Sequence, residues 1–139
     1  MIPAAFDYKR AGSSEEAVAL IAEYGDEAKL LAGGHSLIPM MKLRLAVPTV
    51  LVDIGQVTDL SYIDARDDHI AIGALASHRS LETSDLLVAE CPILAHVASK
   101  VGDPQVRHRG TIGGSLAHSD PASDLPAAVL ALGGSLIAQ

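Results

Sequence analysis

The sequence predicts a mixed fold of helices and strands, on three observations. Two short apolar runs with strand texture, Lys29-Leu30-Leu31-Ala32 and Val50-Leu51-Val52-Asp53-Ile54, follow a helical stripe in the segment before Gly55. Two-residue alternation then flanks the polar link Arg66-Asp67-Asp68, and further helical stripes bounded by glycine fill the rest. At 139 residues, with 49% apolar and 19% charged side chains, the chain has the length of one domain and an ordinary globular composition. Aromatics make up only 3% and Trp is absent, so the core has to be built from Leu, Val, Ile and Ala.

In chain order, Ser13 and Ser14 are candidate N-caps, Glu15 and Glu16 suit a first turn, and Ala17, Leu20, Ile21 and Tyr24 recur at helical spacing before Gly25. The spacing predicts a helix over 14–24. The run Lys29–Ala32 reads as a buried strand ending at Gly33-Gly34, and Val50–Ile54 as the next strand. Together they make a small α/β unit with parallel pairing. Beyond Gly55 the texture changes: Ser61–Ala65 and His69–Gly73 read as a hairpin. Cys91-Pro92 opens a helix with Pro at its first position, Leu94, Val97, Ala98 and Val101 form its stripe, and Gly102 ends it. A further helix starts with Ser123 as N-cap and stops at Gly133-Gly134, after which Ser135–Ala138 reads as a strand. A strand just begun reads as a truncated end.

Charge and cysteine content exclude several function classes. A net charge of -7 argues against nucleic acid as the main partner, because phosphate-backbone binding needs clustered Lys and Arg. It leaves room for a local anion site, since backbone N–H groups in glycine loops bind anions without net positive charge. The single cysteine, Cys91, cannot form an internal disulfide or hold an iron-sulfur cluster alone, and fits a reducing, cytoplasmic setting. The N-terminus lacks secretory-signal texture, and no apolar run has the length of a membrane span.

Two segments share one design: Leu31-Ala32-Gly33-Gly34-His35-Ser36 and Gly110-Thr111-Ile112-Gly113-Gly114-Ser115. Paired glycines permit positive φ and close backbone approach, so consecutive N–H groups can point at phosphate oxygens while a nearby hydroxyl adds a donor. A pair of glycines is also an ordinary turn, and neither segment is a Rossmann fingerprint or a P-loop.

Extended on both sides, Ala32–Arg44 and Val101–Ser115, continued by Leu116-Ala117-His118-Ser119-Asp120-Pro121-Ala122-Ser123-Asp124-Leu125-Pro126, resemble the two FAD signatures of molybdenum hydroxylase medium subunits of the aerobic carbon monoxide dehydrogenase kind. The resemblance covers the whole chain, including Phe6-Asp7-Tyr8. It implies an α+β fold of two small subdomains, 1–55 and 56–139, of the vanillyl-alcohol-oxidase and xanthine-dehydrogenase flavin type, the second incomplete. FAD would lie between them with its diphosphate on the glycine segments. Carried over by residue, Ala32, Gly33, Gly34, His35, Ser36, Thr111, Ile112, Gly113, Gly114 and Ser115 are the expected FAD contacts, with Asp124 near the flavin end. The implied partners are a molybdenum-containing large subunit and an iron-sulfur small subunit. Electrons would pass from the clusters through FAD to an external acceptor. A stand-alone flavin reductase or oxidase of the same superfamily, or a non-catalytic assembly fragment, are the alternatives.

Plainer readings stand beside these. His35 is a contact rather than a catalyst, and the six histidines show neither H-x-H nor H-E-x-x-H spacing, so no metal site is expected. Gly34-His35-Ser36-Leu37-Ile38 and Gly113-Gly114-Ser115-Leu116-Ala117 fall one glycine short of a nucleophile elbow, and only His118 follows Ser115. Asp120-Pro121 reads as a turn, Asp124 as a first-turn helix residue, and Arg107-His108-Arg109 as a solvated loop, with phosphate screening or partner docking as its functional alternatives. Met40 and Met41 are expected to pack in the core.

Overall fold

The computed structural model describes residues 1–139, and the chain divides into two compact units, Met1–Asp59 and Leu60–Gln139. Unit 1 holds β1 (Asp7–Arg10), α1 (Ser14–Tyr24), β2 (Ala28–Leu31), α2 (Leu37–Lys42) and β3 (Val50–Asp53). Its three strands run in the order β1-β3-β2, every pair parallel, with Tyr8 and Lys29 both opposite Leu51. The central strand needs apolar residues in succession because both of its faces are covered, and Val50, Leu51 and Val52 are all buried.

Helix α1 begins and ends where its sequence dictates. The Ser13 hydroxyl accepts from the Glu16 amide at 3.2 Å, and the Glu16 carboxylate reaches back to the Gly12 amide at 2.7 Å. That is a capping box displaced by one residue, a feature worth about 1 kcal/mol. Gly25, at φ +55°, stops the helix in a conformation a side chain would resist. The short α2 is not legible in the sequence; it accommodates Pro39 in its first turn, where no backbone N–H is required. Met41 is buried beneath it and Met40 is half-buried.

Unit 2 opens with the antiparallel hairpin β4 (Ile63–Ala65) and β5 (Ile70–Ile72), closed by the Arg66 amide donating to the His69 carbonyl at 2.8 Å. Six helices follow: α3 (His78–Glu82), α4 (Asp85–Glu90), α5 (Pro92–Lys100), α6 (Pro104–Arg109), α7 (Ile112–His118) and α8 (Asp124–Ala131). Helix α5 packs against α3, α4 and α8, and its stripe behaves as the spacing predicts, with Leu94 and Ala98 buried and Val97 and Val101 half-buried. The core they close is Ala76, Leu81, Leu87, Leu94, Ala95, Ala98, Ile112, Leu125 and Ala128, all aliphatic.

Three expectations are corrected. Residues 135–139 form no strand: Gly133 turns the chain at φ +67° and no second strand lies alongside to complete a ladder. Arg107-His108-Arg109 is the last turn of α6, where cations complement the helix dipole, and Arg107 is largely buried. The second glycine segment is a helix start: Gly113 and Gly114 lie inside α7 with negative φ. No helix is long and apolar enough to cross a membrane.

Candidate functional site

The first glycine segment leaves the C-terminal end of β2, the edge of a parallel sheet where ligands bind in α/β units. Gly34 takes φ +79°, and a Cβ there would lie 2.8 Å from Ile38 Cδ1, so only glycine fits without strain. The amides of Gly33, Gly34, His35 and Ser36 donate to no other atom of the chain, whereas the Gly34 and Ser36 carbonyls accept from α2 amides. Four successive donors are therefore unspent, with His35 and Ser36 exposed. Beside this loop, at the end of β3, Asp53 accepts from the Tyr8 hydroxyl and, at 2.7 Å, from the Gly55 amide.

The second segment is built in the opposite sense. Ile112 N donates to Ala76 O at 3.0 Å, Gly113 N to Ala74 O at 2.9 Å, Gly114 N to Thr111 Oγ1 at 3.1 Å, and Ser115 N to Thr111 O at 3.0 Å. All four amides are consumed internally. Thr111 is the N-cap of α7, the Ile112 side chain is 5% exposed in the core, and Gly113 is small because a Cβ would come within 2.6 Å of Ala74 Cβ. Gly114 is exposed, and Ser115 is half-buried. Asp124 is exposed in the first turn of α8, while the Asp120 carboxylate closes its own turn on the Ala122 amide at 2.9 Å.

Two features escaped the sequence reading. His78, from the first turn of α3 and 3% exposed, brings Nε2 to 3.4 Å from Ser115 Oγ. His78 lies upstream of Ser115, whereas the hydrolase chain order places the histidine downstream. The resulting Ser–His pair is not a nucleophile site, since the amides that would stabilise an oxyanion are the four already bonded. The second is Glu82, which joins Arg79 at 3.0 Å and Arg107 at 3.1 Å. The hydrogen bond from Arg79 leads in holding the Glu82 carboxyl below its ordinary value, with the charges of Arg107 and Arg79 adding to it. Arg107 also donates to the Val101 carbonyl at 3.2 Å, so this arginine ties α6 to α3 rather than facing a ligand.

Residues 4–139 match the family described as the FAD binding domain in molybdopterin dehydrogenase. The chain belongs to that family. Among members, it is 48% identical over its full length to the 6-hydroxypseudooxynicotine dehydrogenase complex subunit alpha of Paenarthrobacter nicotinovorans, covering 47% of that protein. It is 48% identical over 132 residues to the carbon monoxide dehydrogenase medium chain of Hydrogenophaga pseudoflava, covering 95% of this chain and 46% of that one. A solved structure of the Hydrogenophaga pseudoflava carbon monoxide dehydrogenase superposes with a TM-score of 0.89 at 50% identity, covering 91% of this chain and 44% of the other. Quinoline 2-oxidoreductase of Pseudomonas putida 86 gives 0.87 at 36% identity, again over 91% and 44%. The α+β fold is thus that of the family's FAD-binding subunits, and the chain spans about half the length of the relatives it matches.

Proposed function

We propose that this chain binds FAD and serves as the flavin-binding part of a molybdenum hydroxylase medium subunit, an oxidoreductase component with a molybdenum-containing large subunit and an iron-sulfur small subunit as partners. In that role electrons from the partner's clusters leave through FAD to an external acceptor. The observation that carries the reading is the run of four unspent amides, Gly33 to Ser36, at the C-terminal edge of a parallel sheet in a chain of this family. Consecutive N–H groups around a glycine of positive φ suit a diphosphate.

The two glycine segments contribute differently. Ala32, Gly33, Gly34, His35 and Ser36 offer backbone donors and an exposed hydroxyl. In the second segment the amides of Ile112, Gly113, Gly114 and Ser115 are spent, so contact falls to the open face of Gly114 and the hydroxyl of Ser115, while Thr111, Ile112 and Gly113 fix the helix that carries them. Asp124 contacts the cofactor nearer its flavin end. Bound FAD would supply the redox chemistry, so the chain needs no nucleophile of its own. The single cysteine among these 139 residues cannot hold an iron-sulfur cluster alone, in keeping with clusters carried by the partner.

Titration of the purified chain with FAD, followed by flavin fluorescence, tests the reading. Gly33→Val is expected to weaken binding at least tenfold with little change in unfolding temperature, because a branched side chain blocks approach to the amides. Equal FAD affinity in parent and variant would refute the assignment.

A further inference from the structure

We propose that His78 is a positioning residue for the cofactor site: its Nε2–H donates to Ser115 Oγ and so aims the one hydroxyl proton of Ser115 outward, toward an anionic phosphate oxygen. This rests on the FAD reading for the identity of the anion, but its structural content is independent of it.

The geometry that supports it begins with the backbone. His78 N donates to Gly110 O at 2.9 Å and Ile112 N to Ala76 O at 3.0 Å, with Ser77 and Thr111 bridged between them. These bonds fasten the start of α3 to the start of α7 and set the imidazole beside Ser115. Gly110 completes the fit, because a Cβ at that position would stand 2.6 Å from His78 Nε2 and drive the ring away. The ring is 3% exposed, so its placement is held by packing. Nε2 of His78, at 3.4 Å, is the one partner of Ser115 Oγ, which therefore does not fold back onto the carbonyl of its own helix as helical serines often do.

The direction of that bond decides what Ser115 can do. A hydroxyl carries a single proton, and a neutral imidazole donates from one nitrogen and accepts at the other. If Nε2 accepted, the Ser115 proton would point at His78 and only lone pairs would face outward, repelling a phosphate oxygen. If Nε2 donates, the proton is free for the anion. With the amides of Ile112 to Ser115 already bonded, this hydroxyl is a polar donor that the start of α7 still has to offer. Its orientation therefore matters more than it would in an open glycine loop.

The test uses the full 139-residue chain with ¹⁵N-labelled histidine, the His78 resonances being assigned by their loss in His78→Gln. The expected result is the Nε2–H tautomer, with an Nε2 shift that moves in Ser115→Ala. An Nδ1–H tautomer, or a His78 signal indifferent to Ser115→Ala, would overturn the proposal whether or not FAD binds. FAD titration then separates positioning from scaffolding. His78→Leu and Ser115→Ala should each lower affinity about tenfold, the double variant no more than either, and His78→Gln, which keeps an N–H donor, should recover most of the loss. Additive losses without rescue would show a purely structural histidine. A parent chain that takes up no FAD would refute the flavin reading while leaving the tautomer result to decide this one.

Discussion

Substituting Gly113 by Ala sets two effects of opposite sign against each other. Alanine is the better helix former, by about 1 kcal/mol, so propensity alone predicts that α7 gains stability. The new Cβ, however, would lie 2.6 Å from Ala74 Cβ, 2.7 Å from Ala74 O and 2.9 Å from Ala74 Cα. Carbon atoms settle at about 3.5–4.0 Å, so the segment around Ala74 must retreat by roughly 1 Å. It is not free to do so: Gly113 N and Ile112 N are bonded to the Ala74 and Ala76 carbonyls at 2.9 and 3.0 Å. Overpacking of this kind costs about 1–3 kcal/mol, and stretching one buried hydrogen bond about 1 kcal/mol more. The net expectation is a loss of about 1–3 kcal/mol. For a unit of this size that is a fall in unfolding temperature of roughly 5–20 °C, measured by far-UV circular dichroism. Gly114→Ala is the matched control, because its Cβ meets only the Thr111 hydroxyl, at 2.8 Å, and the weakened cap offsets the propensity gain. A Gly113→Ala variant as stable as the parent would refute the close-packing account of this glycine.

Further outcomes follow from other sites. Leu125→Ala, at a fully buried position, should destabilise unit 2 by about 2–5 kcal/mol in urea unfolding; a loss below 1 kcal/mol would contradict the assigned core. Because the Glu82 carboxyl is held below its ordinary value, its ionised form stabilises the fold above pH 4.5, and that contribution fades as pH falls through the lowered value. Glu82→Gln should therefore flatten the acid limb of an unfolding-temperature profile, and an unchanged acid limb would remove Glu82 from the account.

What could be read from the sequence were the elements whose signals are local. The serine cap of α1, which falls to Ser13 of the two candidates, the glycine stop at Gly25, the apolar run of β3 and Pro92 at the head of α5 are decided within a few residues. Helices α2, α3, α4 and α6 were missed because five or six residues complete too few turns for a period to show. Ser77 and Ser84 do cap α3 and α4, so a local signal for both helix starts is present in the sequence. The helical course of Gly113 and Gly114 was hidden for a different reason. Glycine pairs signal turns by propensity, and here tertiary crowding by Ala74 selects the residue instead. The pairing of His78 with Ser115 likewise comes from partners 37 positions apart, beyond the reach of any local pattern.

The strand order of unit 1 bears on how the protein is made. Both outer strands pair with β3 and not with each other, yet β3 is the last of the three to leave the ribosome. At ordinary elongation rates β1 waits roughly 2–10 s before its neighbour exists. Helix α1 can form during that pause with the help of its own cap, but the sheet cannot begin until residues 50–53 have emerged. Slow codons or a stalled ribosome just before β3 would thus hold two unpaired edges open to aggregation, whereas the same delay just after it would find unit 1 able to close.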